Sequence, residues 1–291
     1  MFAWTLKTKP ETSASPGATW VSAPLLVAAA GLGVTVLARN DAGTSKATAE
    51  GFGICHRLAD LAAADIVVAA VPDDAALEGL MTDDFLTALR PGQIFIDLST
   101  VSPSASSTIA GKLGPTGAHY LRAPVSGSTV HAASGQLTAM VSGPRAAFDG
   151  AMPLLSVFSA KQFYLGADEQ ARYLKLAINS ILAANSALVA EALAIGEAGG
   201  LSRVDMLEVM TQSAIATPLL GYKKDMLVRG DYKAAFSIRQ IIKDLDLVLS
   251  AARADHVPVP VNAIVRQRFE QAYAEGLGEA DFFALAGAPK N

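Results

Sequence analysis

Lys175 and Asn179 stand four residues apart in a run that is otherwise apolar, Tyr173-Leu-Lys-Leu-Ala-Ile-Asn-Ser-Ile-Leu. On a helix, that spacing puts the amine and the amide on one face. An amine held in a partly dry cleft has its pKa lowered and becomes a usable general acid and base. Hydride addition to a carbonyl needs such a donor, because an ammonium supplies both the proton and stabilisation of charge at oxygen. The plain alternatives are a lysine that snorkels to the surface and an amide satisfied in the core. A second candidate is Ser126-Gly127-Ser128, within Ala-Pro-Val-Ser-Gly-Ser. Two hydroxyls and an unshielded backbone N–H suit a carboxylate. An ordinary Ser/Gly turn is the competing reading.

These residues need a scaffold, and the chain predicts one. Short apolar runs at 34–38, 66–71, 94–98, 120–125, 137–141 and 162–165 read as strands, with helical stretches such as 74–89 and 102–112 between them. Alternation of this kind implies a mainly parallel sheet with helices on both faces. Ligands bind such sheets beyond the carboxyl ends of the strands. Val71-Pro72-Asp73, Asp97-Leu98-Ser99-Thr100 and the Ser-Gly-Ser turn all fall at such ends. After residue 165 the pattern becomes helical. Residues 170–199 form one long run, apolar nearly all round and so expected to be buried on most sides, with Gly199-Gly200 as its stop. Further helices are expected at 204–213, 238–254 and 261–275, with Pro258 and Pro260 separating the last two. The predicted domains are 1–165, doubly wound α/β, and 166–291, all-α.

Totals narrow the function. The chain has 291 residues, 51% hydrophobic and 17% charged, with net charge -4 and one cysteine, Cys55. That length favours two domains. Without a basic face, nucleic acid is not an expected partner. One cysteine allows no intrachain disulfide, and the four histidines lack metal-ligand spacing, so no metal is expected. Residues 23–38 are shorter than a spanning helix, and Gly31 and Gly33 interrupt them. A soluble chain is expected, with no membrane and a cytoplasmic location.

Residues Ala123 to Leu137, Ala-Pro-Val-Ser-Gly-Ser-x-x-x-Ala-x-x-Gly-Gln-Leu, resemble the substrate-binding motif of the β-hydroxyacid dehydrogenase family. Lys175-x-x-x-Asn179 is similar to its catalytic motif, Lys243-Asp244-Leu245 to its late Lys-Asp-Leu element, and Asp97-Leu-Ser-Thr100 to its loop near the nicotinamide. The resemblance implies a Rossmann-like domain followed by an all-α domain of the 6-phosphogluconate dehydrogenase C-terminal type. It implies an oxidoreductase that moves a hydride between NADP or NAD and a small 3-hydroxyacid or semialdehyde. Ser128, where many members have glycine, looks most like the semialdehyde-reductase branch. By the same resemblance, Lys175 would be the acid/base, assisted by Asn179. Ser126, Gly127 and Ser128 would bind the substrate carboxylate. Lys243 would line the site, Phe236 would lie near the nicotinamide, and Val71, Pro72, Ser99 and Thr100 would contact the cofactor.

The departures sit mainly at the N-terminus. A Rossmann domain opens with a strand and Gly-x-Gly-x-x-Gly; residues 1–20 read instead as polar and irregular, and Gly17 is the only glycine before Gly31. Two origins stay open: a diverged N-terminus, or a shifted reading frame, since the Trp20 codon TGG moved by one base permits Met-Gly. Glu169 and Ala171 stand where the family usually has Gly-x-Gly before its lysine, and Arg122 stands where an acid often precedes Ala-Pro. Arg39, ending the second strand, leans towards the 2′-phosphate of NADP, with a solvated surface residue as the plain alternative. The apolar long helix predicts a homodimer or homotetramer. Two rival readings remain: an inactive relic that binds ligand or dimerises, and an imine reductase, against which Lys175 argues.

Overall fold

The computed structural model describes residues 2–7, 27–28, 30–38 and 41–288. The chain divides into two units, Met1–Lys175 and Leu176–Asn291. The division falls ten residues beyond the expected boundary, inside the long helix. The first turn of that helix is bonded to the sheet of the first unit, for instance by Ala171 N–H to Ser142 Oγ at 3.3 Å.

The first unit holds a six-stranded sheet in the order β3-β2-β1-β4-β5-β6. Its strands are β1 Phe2–Lys7, β2 Gly33–Leu37, β3 Gly53–Cys55, β4 Ile66–Ala70, β5 Ile94–Asp97 and β6 His119–Arg122. β2 runs parallel to β3, and β4, β5 and β6 run parallel to one another. A smaller sheet of β7 Val125–Ser126, β8 Leu137–Val141 and β9 Ser159–Tyr164 adjoins it. Side chains alternate between two cores, as the period of two requires. Val68, Ile96 and Leu121 enter one cluster with Phe148 and Leu155 of the helix Arg145–Phe158. Val67, Phe95 and Tyr120 enter the other, with Leu77, Phe85 and Ile109. Covering of both faces is why these strands read as apolar runs.

Several expectations need correction. Residues 2–7 are not irregular: they form β1, in the central slot, antiparallel to both neighbours, with Phe2 opposite Ala70 and Lys7 opposite Gly33. Without them β2 and β4 would each expose an unpaired edge. The expected strand 120–125 divides between the two sheets at Pro124, which has no N–H for a ladder. The stretch 74–89 is two short helices, Asp74–Glu78 and Asp83–Ala88; Gly79 ends the first, and Thr82 caps the second by accepting the Phe85 N–H at 3.3 Å. Strand β3, three residues long, is too short for a periodic signal.

The long helix, Gln170–Ala198, leads into the second unit. There Ala183, Ala190 and Leu193 pack with Leu207, Leu227, Ile241, Phe269 and Phe283. The helices Arg203–Met210, Pro218–Arg229, Ile238–Ala254 and Pro260–Ala272 supply most of that core. The expectation of burial on most sides is corrected here. Ile181, Leu188 and Ile195, spaced by seven, are 69, 64 and 75% exposed. By length and composition the helix could also cross a membrane, but 39% of its most apolar window is buried inside the protein.

Candidate active site

Asp97 ends β5, and its side chain is wholly buried. One oxygen, Oδ1, accepts the Ser99 N–H at 2.9 Å and tightens the turn after the strand. The other, Oδ2, accepts from the Tyr120 hydroxyl at 3.1 Å and from Arg172 Nη2. Ser99 Oγ in turn accepts the Val71 N–H at 2.9 Å, so the turns after β4 and β5 are tied together. Arg172 also donates from Nη1 to the Ser99 carbonyl at 2.6 Å and from Nε to Ser106 Oγ at 3.2 Å. Burial opposes its charge, but Asp97 and Tyr120 hold the guanidinium protonated and raise its pKa. Burial is also the main reason the Tyr120 hydroxyl is pushed well above its ordinary pKa.

Two departures from the family pattern meet in space. Arg122 donates to Glu169 Oε1 from Nε at 2.9 Å and from Nη2 at 2.5 Å, and both side chains are largely buried. Its guanidinium lies 4.5 Å from the Tyr120 ring centroid. A basic residue where an acid is usual is thus matched by an acid where glycine is usual.

The Ser-Gly-Ser turn follows the first residues of the small sheet. Gly127 has φ +132°, and a Cβ there would lie 2.8 Å from Leu137 Cδ2 and 3.0 Å from His131 Cβ. Glycine is required by both backbone conformation and space. The Ser128 N–H is occupied by a neighbour within the turn. It donates to His131 Nδ1 at 3.2 Å, and Ser128 Oγ lies 2.9 Å from the same nitrogen. Gripping a carboxylate with Ser128 would mean displacing that ring or sharing with it.

Lys175 is half-buried one turn beyond Arg172. Ser126 and Ser128 are half-buried and Gly127 is exposed; Val71 and Ser99 are buried, Thr100 half-buried and Pro72 exposed. In the second unit, Asn179 is buried and its Nδ2 donates to Asp244 Oδ2 at 2.5 Å, while Lys243 Nζ pairs with Asp244 Oδ1 at 2.8 Å. Asn179 Oδ1 is buried without a partner among the described residues. Phe236 is half-buried, its ring 5.8 Å from that of Phe282. Arg39 lies outside the described residues. Sequence reasoning gave no role to Arg172, Tyr120, His131 or Asp244. The available signal was a lone Asp97 ending Ile-Phe-Ile-Asp and a lone Arg172 at the start of an apolar helix, two charges that need each other if buried.

Whether these residues suit a dinucleotide differs along the sheet edge. The turns at Val71 and Ser99 are tied to each other at the carboxyl edge, where ligands of such sheets bind. A pyrophosphate needs a glycine loop running from the carboxyl end of the central strand into a helix N-terminus. β1 runs the opposite way: Phe2 lies at the carboxyl edge beside Ala70, and the strand leaves at the amino edge. Among the described residues, this edge of the sheet does not fit a pyrophosphate.

A doubly wound domain followed by a helical one, with polar turns at the strand ends, is an architecture that nicotinamide-dependent oxidoreductases use. Residues 23–166 match the NAD binding domain of 6-phosphogluconate dehydrogenase, and residues 170–288 match the NAD-binding region of NADP-dependent 3-hydroxyisobutyrate dehydrogenase. The chain is 33% identical over 259 residues to 2-(hydroxymethyl)glutarate dehydrogenase of Eubacterium barkeri, covering 87% of this chain and 86% of that one. It is 28% identical over 263 residues to glyoxylate/succinic semialdehyde reductase 1 of Arabidopsis thaliana, covering 89% and 91%. Among solved structures, 3-hydroxyisobutyrate dehydrogenase of Mycobacterium tuberculosis with L-serine superposes with TM-score 0.77 at 27% identity, over 84% of this chain and 86% of that one. The chain belongs to the β-hydroxyacid dehydrogenase family, and its cofactor class is NAD(P).

Proposed function

We propose that the protein is a 3-hydroxyacid dehydrogenase, working also as a semialdehyde reductase, with Lys175 as the acid/base. The single observation behind this is Lys175 standing half-buried one turn after Arg172, which is bonded to the Ser99 carbonyl. When bound, the nicotinamide supplies or accepts the hydride. Lys175 gives a proton to the carbonyl oxygen in reduction and takes it back in oxidation. Ser126, Gly127 and Ser128 hold the substrate carboxylate, and Asn179, four residues after Lys175 on the same helix, assists the lysine; Lys243 has Asp244 as its counter-charge. The exposed row of Ile181, Leu188 and Ile195 supports a homodimer or homotetramer built on the long helix. A cytoplasmic location completes the reading.

The test uses purified protein, NADPH or NADH, and succinic semialdehyde, glyoxylate and tartronate semialdehyde. Lys175→Ala is expected to lower kcat by about 100- to 10,000-fold, the usual worth of a general acid. Full turnover by this variant would overturn the mechanism. The reversed β1 favours a second reading, a ligand-binding protein of the same family without turnover. NADPH titration parts the two: saturable binding supports the enzyme, and its absence supports the binding protein.

A further inference from the structure

We infer that Arg172 is a positioning residue that fixes the first turn of the long helix, and with it Lys175, against the turn at Ser99 and Thr100. This rests on the acid/base reading of Lys175. Arg172 is 1% exposed and three residues before Lys175, so the two lie on neighbouring positions of one helical face. Its guanidinium spans three elements: Asp97 and the Ser99 carbonyl after β5, the Tyr120 hydroxyl of β6 at 2.9 Å, and Ser106 on the helix Pro103–Leu113.

Two physical arguments favour positioning over a simple fold staple. A cation in the first turn of a helix opposes the helix dipole, so Arg172 gains nothing from its own helix; its partners outside must account for it. Pairing with Asp97 alone would be served by a lysine. The planar fork instead delivers separate N–H groups to Asp97, Tyr120 and a backbone carbonyl. That carbonyl belongs to Ser99, whose hydroxyl accepts from Val71. One side chain therefore sets both the turns at the sheet edge and the helix carrying the amine. Glu169, bonded to Arg122, and the Asp168 carbonyl, which accepts from Ser142 Oγ at 2.5 Å, hold the residues just before the helix. A shift of about 1 Å at a reacting group can cost about 100-fold in rate.

The experiment compares wild type with Arg172→Lys, which keeps the charge beside Asp97 and loses the fork. The expected result is a fall in kcat of about 10- to 100-fold, with KM for succinic semialdehyde within about twofold. A second readout needs no cofactor: reductive methylation of Lys175 across pH, followed by mass spectrometry of its peptide. Its rate is expected to rise at least about threefold towards that of the exposed Lys161. Wild-type kcat with a wild-type methylation profile overturns the inference. A fall in melting temperature with both readouts unchanged also overturns it, because that is what a fold staple alone would give. If Arg172→Lys does not fold, Tyr120→Phe removes one partner of both Asp97 and Arg172, and the same readouts decide, with smaller changes of the same sign expected. Full turnover by Lys175→Ala would sink the functional reading, while the methylation profile would still judge the positioning.

Discussion

The carboxyl edge of the main sheet has two halves, and both depart from the family pattern. On the β4–β5–β6 side the departures compensate: Arg122 meets Glu169 in a largely buried, hydrogen-bonded pair, close to the buried pair of Asp97 and Arg172. On the β1–β2 side the departure stands alone. A strand fills the central slot, so the sheet is complete, but its direction removes the turn that would face a pyrophosphate. Hydrogen bonding asks only that an edge be paired, whereas ligand binding asks which way the strand runs. The family match itself begins at residue 23, after this strand.

The test that changes the greatest length of chain replaces residues 1–30 by a parallel strand ending in Gly-x-Gly-x-x-Gly. NADPH affinity is expected to rise by about 100-fold or more, roughly 2.7 kcal/mol. An unchanged Kd in fluorescence titration would mean that strand direction does not limit binding. Next comes the compensated side. Arg122→Glu leaves two buried carboxylates facing each other, and a loss of about 3–5 kcal/mol in urea denaturation is expected. The exchange R122E/E169R should restore most of it; no recovery would show that the two residues do not act as a pair. The smallest effect is at Cys55, near the β1–β2 side. Burial, then Asp60, raises its thiol to about 11. At pH 8 only about one part in a thousand is thiolate, so labelling should be slow and should quicken about tenfold per pH unit up to pH 11. Fast labelling at pH 8 in the folded protein would show that this region opens.

Legibility followed the range of the interactions. Strands β4, β5 and β8 and the helix Ile238–Ala254 were readable because their apolar periodicity is local and strong. The turn residues Ser99 and Ser126 were readable as polar residues at strand ends. Glu169 and Arg122 looked like separate faults, because they stand 47 positions apart along the chain. The contact of Ser128 with His131 was not read, because His131 carries no signal of its own in the sequence.

The sequence by itself determined the two-part architecture, the order of the chemical motifs and the absence of a glycine loop before residue 31. These depend on neighbours within a few turns of chain. Tertiary structure alone decided the direction of β1, the pairing of Arg122 with Glu169, and the burial of Arg172 among Asp97, Ser106 and Tyr120. Each of these joins residues far apart in the chain, and only a completed fold brings such charges out of water together, where leaving either alone would be costly.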